Sequence, residues 1–251
     1  MKKRGKNFLT DNIITLKNSF KNINLTFLLI IVLDVLFYFI LFQAGNYYLS
    51  IMQQKALGIT LDQNLLADPA AASGLLETVR GFFFFLVASI IIFLLITIIV
   101  ISLLKGVIWS LTVNKKFNLE FFKKFLILNL IWIPSWFLLA FLATVAIREG
   151  TAPLFVLVIF ILTFYFTNIL YPLFLKQNKL AMIKTSFSLG IRKIHYFIIP
   201  FAIIIISSLI ISRIYNLIAL NINLNPNVLL LIGIIYVAWL RYYFVEVVGN
   251  L

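Results

Sequence analysis

The chain has 251 residues, of which 63% are hydrophobic and only 12% are charged, whereas a soluble domain is about 45–50% apolar and about 25% charged. This composition excludes a water-soluble globular protein. In a soluble chain a net charge of +13 would indicate nucleic acid as a partner. In a membrane protein, however, lysines set the orientation and contact anionic lipid. The chain has no cysteine, which excludes disulfides, thiolate nucleophiles and cysteine-bound metals.

The predicted elements begin with a polar, basic stretch of about 24 residues, too long for the basic region of a cleavable signal peptide. The first apolar run is therefore expected to be an uncleaved signal-anchor. Apolar runs of about 20 residues are long enough to cross a bilayer as helices. We predict an all-α fold, a polytopic bundle forming a single integral membrane domain over 1–251. Its six expected spans are about 25–45, 81–104, 125–147, 154–175, 197–219 and 228–248.

The connections differ in length. The segment 46–80 is the only sizeable connection opposite the N-terminus, and its stretch from Tyr47 to Leu57 is expected to be an interfacial or extended helix. Asp68-Pro69 and Ser73-Gly74 are expected to break it. The other two connections on that side are tight turns, which predict antiparallel hairpins for spans 3–4 and 5–6.

The basic residues indicate the orientation. Sixteen of the 21 lysines and arginines lie in the N-terminal segment, between spans 2 and 3, and between spans 4 and 5. The positive-inside rule therefore predicts that both termini are cytoplasmic and that the protein lies in the cell membrane. The residues expected to contact anionic phospholipid headgroups are Lys17, Lys21, Lys123, Lys124, Lys184, Arg192 and Lys193.

Two segments that precede hairpins have a similar pattern. When 13–23 is aligned with 180–190, Lys17 falls on Lys184 and Ser19 falls on Ser186. Apolar residues recur at the helical period in both, which predicts amphipathic helices with lysine and serine on the face opposite the apolar one. The segment 118–130, with Asn118 as its predicted N-cap, is a weaker third example. We predict three repeats of an amphipathic helix plus a hairpin, with the alternative that any basic loop leading into a span has this appearance.

Several short motifs resemble a known group of proteins. Lys105-Gly106 near the end of span 2 precedes Leu-Glu-Phe-Phe at 119–122, and Ala-Met-Ile-Lys-Thr-Ser-Phe at 181–187 leads to Gly190. This order resembles a loose group of six-span prokaryotic membrane proteins of unknown function, similar to the membrane domain attached to some glycerophosphodiester phosphodiesterases. Ser186 lies one residue later than that group's pattern expects. The motifs that carry the resemblance belong to the membrane domain and not to a phosphodiesterase domain, so the resemblance implies a fold and no activity.

Charged residues inside spans are the first candidates for function. Asp34 is about ten residues into span 1, near mid-membrane at about 1.5 Å per residue. Arg241 in span 6 has a similar depth, whereas Arg213 in span 5 is nearer the opposite end. We predict an intramembrane ion pair between Asp34 and Arg241. The alternative is that Asp34 is an acid that couples proton or substrate movement.

Other polar residues do not form a recognisable reactive centre. His195 is the only histidine and is expected at a headgroup, not in a metal site, which needs three or four ligands. Ser207 and Ser208 have no nucleophile elbow or base and are expected to bond along or between helices. A cytoplasmic cavity is an alternative that would be lined by Pro134, Pro172, Pro200, Asn129, Asn168 and Tyr171. We predict no catalytic residue, cofactor or metal.

These observations favour a non-enzymatic multi-pass membrane protein. Its basic cytoplasmic helices are expected to organise lipid or a membrane complex, with the bilayer and a membrane protein as partners and no nucleic acid. The alternative is a small transporter or permease subunit with Asp34 in the translocation path. A lipid-active enzyme is the third hypothesis.

Overall fold

The computed structural model describes residues 8–21, 23–57, 69–147, 150–222 and 226–249. These described residues form eight α-helices and no strand. The helices are α1 Phe8–Lys21, α2 Leu25–Leu57, α3 Pro69–Thr112, α4 Leu119–Ala146, α5 Ala152–Gln177, α6 Met182–Arg192, α7 Ile194–Ile222 and α8 Pro226–Gly249.

Six of these helices, α2, α3, α4, α5, α7 and α8, are long and apolar enough to cross a membrane. Each of the six predicted spans coincides with one of them, which confirms the predicted all-α fold with six membrane helices. Continuous apolar runs make this outcome robust, because a helix satisfies all its backbone hydrogen bonds internally when no water is present. The protein is a multi-pass membrane protein.

The first hairpin has longer helices than its apolar runs require. The stretch Tyr47–Leu57 was expected to be an interfacial or an extended helix. It continues α2, which is 33 residues long. The helix α3 begins at Pro69 and continues through Ser73 and Gly74, so the predicted break at those two residues is wrong. Proline is accommodated in a first helical turn, and the neighbouring alanines and leucines are strong helix formers. Asp68 lies outside the described residues.

The three predicted amphipathic segments have two different structures. The segments 13–23 and 180–190 correspond to the separate short helices α1 and α6. The segment 118–130 is the first part of α4, so the prediction of a separate helix there is wrong, because the segment contains no glycine or proline to interrupt it. Asn118 is the N-cap of α4, as predicted, and its Oδ1 accepts a hydrogen bond from the backbone N–H of Phe121 at 2.8 Å.

The described chain divides into two compact units, one of residues 1–35 and 102–251 and one of 36–101. In the first unit α5 packs against α4, α6 and α8, and α1 packs against α8. Its core is rich in aromatic side chains: the ring centroid of Phe125 is 5.0 Å from that of Tyr171 and 5.7 Å from that of Phe174. Such a core gives the buried polar groups of this unit a rigid, apolar surrounding.

The approach of α6 to α5 is close enough to require glycine. A Cβ atom at Gly190 would lie 2.8 Å from a ring carbon of Phe166, which is closer than two carbon atoms approach without strain. The backbone carbonyl of Gly190 also accepts a hydrogen bond from the Tyr165 hydroxyl at 2.8 Å. This contact holds the short helix against the membrane-spanning part of the bundle.

In the second unit, α2 and α3 lie side by side as the two arms of a hairpin. The Tyr48 ring stacks on the Phe93 ring with centroids 4.6 Å apart, and the Tyr48 hydroxyl is 3.4 Å from Ser89 Oγ. Further along, Lys55 Nζ is 5.7 Å from the centroid of the Phe85 ring. Residues 48–55 of α2 are therefore level with residues 85–93 of α3.

Candidate functional site

Three ionised side chains meet inside the first unit, and we call them the charged cluster: Asp34 of α2, Lys105 of α3 and Arg241 of α8. Arg241 donates from Nη1 to Oδ2 of Asp34 at 2.5 Å and from Nη2 to Oδ1 at 2.8 Å. Lys105 Nζ donates to Oδ1 at 2.7 Å. The structure thus brings together the two residues that the sequence suggested as a pair, and it adds a third.

The position of each charge along its helix explains why they meet. Asp34 lies nine residues after the start of α2, Arg241 eight before the end of α8, and Lys105 seven before the end of α3. At about 1.5 Å per residue these distances are roughly 10–14 Å. Helices whose ends lie on one side of the membrane therefore carry the three groups at nearly the same depth.

Burial makes the electrostatics of the charged cluster strong. The Asp34 side chain is 0% exposed, that of Arg241 is 5% exposed and that of Lys105 is 13% exposed. A bidentate arginine–carboxylate pair is among the strongest hydrogen-bonded contacts in proteins. Because both carboxylate oxygens accept hydrogen bonds and neither is exposed, the arrangement can hold three helices together.

Lys105 was missed in the sequence because it was counted among the residues between spans 2 and 3. A signal for its true location was present. The seven residues after Lys105, Gly-Val-Ile-Trp-Ser-Leu-Thr, carry no charge and continue α3 to Thr112. A lysine followed by two further apolar turns of helix lies inside the span, where it needs an acidic partner.

A second group of buried polar side chains, the neutral cluster, consists of Ser102, Asn129 and Tyr171. Asn129 Nδ2 donates to Ser102 Oγ at 3.0 Å, and the Tyr171 hydroxyl donates to Asn129 Oδ1 at 2.7 Å. Asn129 and Ser102 are 0% exposed. Asn129 and Tyr171 were candidates for a cavity wall together with Asn168, but Asn168 donates back to the Phe164 carbonyl of its own helix at 2.8 Å.

The remaining candidates are distributed over other parts of the chain. Ser207 bonds both along and between helices, since its Oγ donates to the Ile203 carbonyl at 2.6 Å and lies 2.6 Å from the Tyr236 hydroxyl of α8. His195 is exposed, with its ring centroid 4.4 Å from that of Tyr196. Among the described residues, no group of three histidine or acidic side chains is placed to hold a metal ion.

Six of the seven predicted membrane-surface cations lie on α1, α4 and α6, and the seventh, Lys193, directly follows α6. Lys17, Lys21, Lys123, Lys184 and Arg192 are exposed. Lys124 forms an ion pair with Glu120 one turn earlier, at 2.7 Å. Lys193 follows α6 as its C-cap, and its Nζ is 5.8 Å from the centroid of the Tyr196 ring.

Two other lysine side chains each donate to a backbone carbonyl near the C-terminal end of a neighbouring helix. Lys115 Nζ, just after α3, donates to the Leu175 carbonyl near the end of α5. Lys176 Nζ in turn donates to the Val248 carbonyl near the end of α8 at 3.1 Å. Cations are stabilising at helix C-termini, where the last carbonyls have no partner in the helix. These two lysines therefore have a structural role.

The predicted face of the serines in α1 and α6 is wrong. Ser19 and Ser186 were expected to share the outward face with the lysines, but both are 0% exposed. Ser19 Oγ donates to the Leu16 carbonyl at 2.6 Å, and Ser186 Oγ donates to the Ile183 carbonyl at 2.8 Å. A serine can satisfy its hydroxyl on its own helix and, being small, permits close packing. Ser19 also accepts a hydrogen bond from Trp239 Nε1 at 3.1 Å.

Comparison with known proteins adds nothing to this geometry: no family model, no curated protein and no solved structure matches the chain.

Proposed function

We propose that this protein is a non-enzymatic component of the cell membrane that binds anionic phospholipid through α1 and α6 and so organises lipid or a membrane complex. The observation that carries the proposal is that both short helices expose apolar side chains beside cations, Ile14 and Phe20 in α1 and Ile191 in α6. A helix with this face lies in the interfacial plane, with apolar groups at the acyl boundary and cations at the phosphates.

The helix α1 presents this combination over two turns. Ile14 is 51% exposed and Phe20 is 52% exposed, and Lys17 and Lys21 are exposed between and beside them. Polar side chains, including Ser19, lie instead on the buried side. This is the reverse of a water-soluble amphipathic helix, and it supports contact of the outer face with lipid.

The helix α6 shares part of this distribution, although the polar Ser188 is also exposed. Met182, Ser186 and Gly190 are buried, whereas Ile191 is 65% exposed and lies beside the exposed cation of Arg192. Two elements distant in the chain thus present similar surfaces. The matching burial of Ser19 and Ser186, each bonded to the carbonyl three residues earlier, also supports our inference that α1 and α6 are equivalent members of an internal repeat.

The orientation we propose places these helices at the cytoplasmic surface, with both termini on that side. The unequal distribution of lysine and arginine between the connections on the two sides of the membrane supports this orientation. The anionic lipids of a cytoplasmic leaflet attract basic segments with roughly 1 kcal/mol per lysine or arginine. The resemblance to six-span prokaryotic membrane proteins stays a prediction and contributes no activity to the proposal.

The geometry of Asp34 supports a structural role for this residue over the alternative role of a coupling acid. Its carboxylate is 0% exposed and accepts three hydrogen bonds from two cations. An acid that moves a proton or a substrate has to exchange partners, and each exchange here would leave a buried charge without compensation.

The proposal is tested by measuring how many anionic and zwitterionic lipids remain bound to the purified full-length protein, by native mass spectrometry. We expect the wild type to retain phosphatidylglycerol over phosphatidylcholine and the Lys184→Gln, Arg192→Gln double variant to lose several-fold of that preference. The matched control is Lys55→Gln with Arg80→Gln, which removes the same charge from the first hairpin. Equal retention of both lipids by the wild type, or an equal loss in the control, would contradict the proposal.

A further inference from the structure

One face of α2 in the second unit carries a row of exposed polar side chains, which we call the amide seam: Gln43, Asn46, Ser50 and Gln53. All four are exposed. Their spacing of three, four and three residues places them within an arc of about 80° at about 100° per residue. These four side chains are therefore collected on one stripe of α2.

The neighbouring helix gives the depth of this stripe. Tyr48 of α2 is level with Ser89 and Phe93 of α3. On α3, residues 81–104 contain no charged residue, a length of about 36 Å that covers the hydrocarbon core of about 30 Å. The stretch from Gln43 to Ser50 is thus level with the apolar part of α3. At this depth amide groups that face lipid are costly unless they find a hydrogen-bond partner.

The same spacing continues in both directions along α2. Leu36 precedes the seam with 44% exposure, Phe39 with 58%, and Leu57 follows it with 80%. Together, positions 36, 39, 43, 46, 50, 53 and 57 alternate steps of three and four residues over three heptads. This is the a/d pattern of a left-handed pair of helices, in which a polar residue at such a position selects register and partner.

We propose that the amide seam is the contact between two copies of this chain. Each amide side chain offers both a donor and an acceptor, so that Gln43 and Asn46 can pair with the same residues across a two-fold axis. A second copy inserted in the same orientation carries its seam at the same depth. An interface of this kind is isologous and closes as a dimer, and interhelical bonds between amide groups stabilise helix pairs in membranes.

Cross-linking in native membranes tests the proposal cleanly because the chain has no cysteine. We expect Asn46→Cys and Ser50→Cys to form disulfide-linked dimers under mild oxidation. The matched control is Leu49→Cys, which is exposed and next to Ser50 but about 100° around the helix. Equal dimer yields at 49 and 50 would overturn the proposal. A Ser50→Cys chain linked to a different protein would overturn the second copy as occupant.

The association constant provides an independent test that does not depend on oxidation. Labelled chains in vesicles are compared by single-molecule photobleaching at increasing dilution. Gln43→Leu with Asn46→Leu should lower the dimer association constant roughly ten-fold, at about three-fold per amide pair. Tyr38→Leu with Phe42→Leu, on the exposed surface beside the seam, should leave it unchanged. A wild type that is monomeric at every density would contradict the proposal.

Discussion

The charged cluster and the neutral cluster both connect helices inside the bundle, the first through ion pairs and the second through hydrogen bonds between uncharged side chains. The charged cluster joins α2 and α3 to the distant helix α8, and the neutral cluster joins the consecutive helices α3, α4 and α5. The helix α3 contributes to both through Ser102 and Lys105, which are three residues apart. In the neutral cluster each lost contact removes one hydrogen bond. In the charged cluster each lost contact leaves a charge in an apolar surrounding, where the cost is several kcal/mol. The comparison indicates that the charged cluster carries the larger share of bundle stability.

The largest expected effect comes from the acid at the centre of the charged cluster. Asp34→Asn keeps the shape of the side chain but leaves Lys105 and Arg241 buried without a counter-charge. We expect the free energy of unfolding, measured by titrating dodecyl maltoside micelles with SDS, to fall by roughly 3–5 kcal/mol. Asp34→Glu, which keeps the charge, should lose less. An Asp34→Asn protein as stable as the wild type would show that the pairing is not structural.

The membrane architecture was predictable because it rests on uninterrupted apolar runs, each of which forms one helix whatever its neighbours are. The proximity of Asp34 and Arg241 followed from depth alone, since few charges lie inside the spans. Depth does not tell which side of a helix faces the bundle, however. For that reason Ser19 and Ser186 were placed on the wrong face. Lys105 was assigned to a loop for a different reason, because the second span was predicted to end at residue 104, whereas α3 continues to Thr112.

The amide seam was missed for a similar reason, because the sequence does not show which face of α2 is covered by other helices. Gln43 stands inside the first predicted span, and the heptad spacing from Leu36 to Leu57 can be read in the sequence. Whether that face is covered depends on how α2 packs, and the spacing does not contain this information. The continuity of α4 was predictable in principle, because no helix-breaking residue follows Asn118 until Pro134.

Within the charged cluster the two cations should differ. Arg241 donates two hydrogen bonds to Asp34 and its side chain is 5% exposed, whereas Lys105 donates one and is 13% exposed. Arg241→Met should therefore lower the free energy of unfolding by roughly 3–5 kcal/mol. Lys105→Met should lower it by only about 1–2 kcal/mol, because Asp34 then keeps both hydrogen bonds from Arg241. If the order of the two variants is reversed in the same SDS titration, Lys105 and not Arg241 is the principal partner of Asp34.

The neutral cluster should respond more weakly, and its members should not be additive. Asn129→Leu leaves the hydroxyls of Ser102 and Tyr171 without their shared partner and should cost about 1–3 kcal/mol. Tyr171→Phe leaves the bond between Asn129 and Ser102 intact, so about 1 kcal/mol is expected. The double variant should lose less than the sum, because the contact between residues 129 and 171 can be lost only once. If Asn129→Leu costs as much as Asp34→Asn, burial of polar groups in general, and not charge, determines the stability of this bundle.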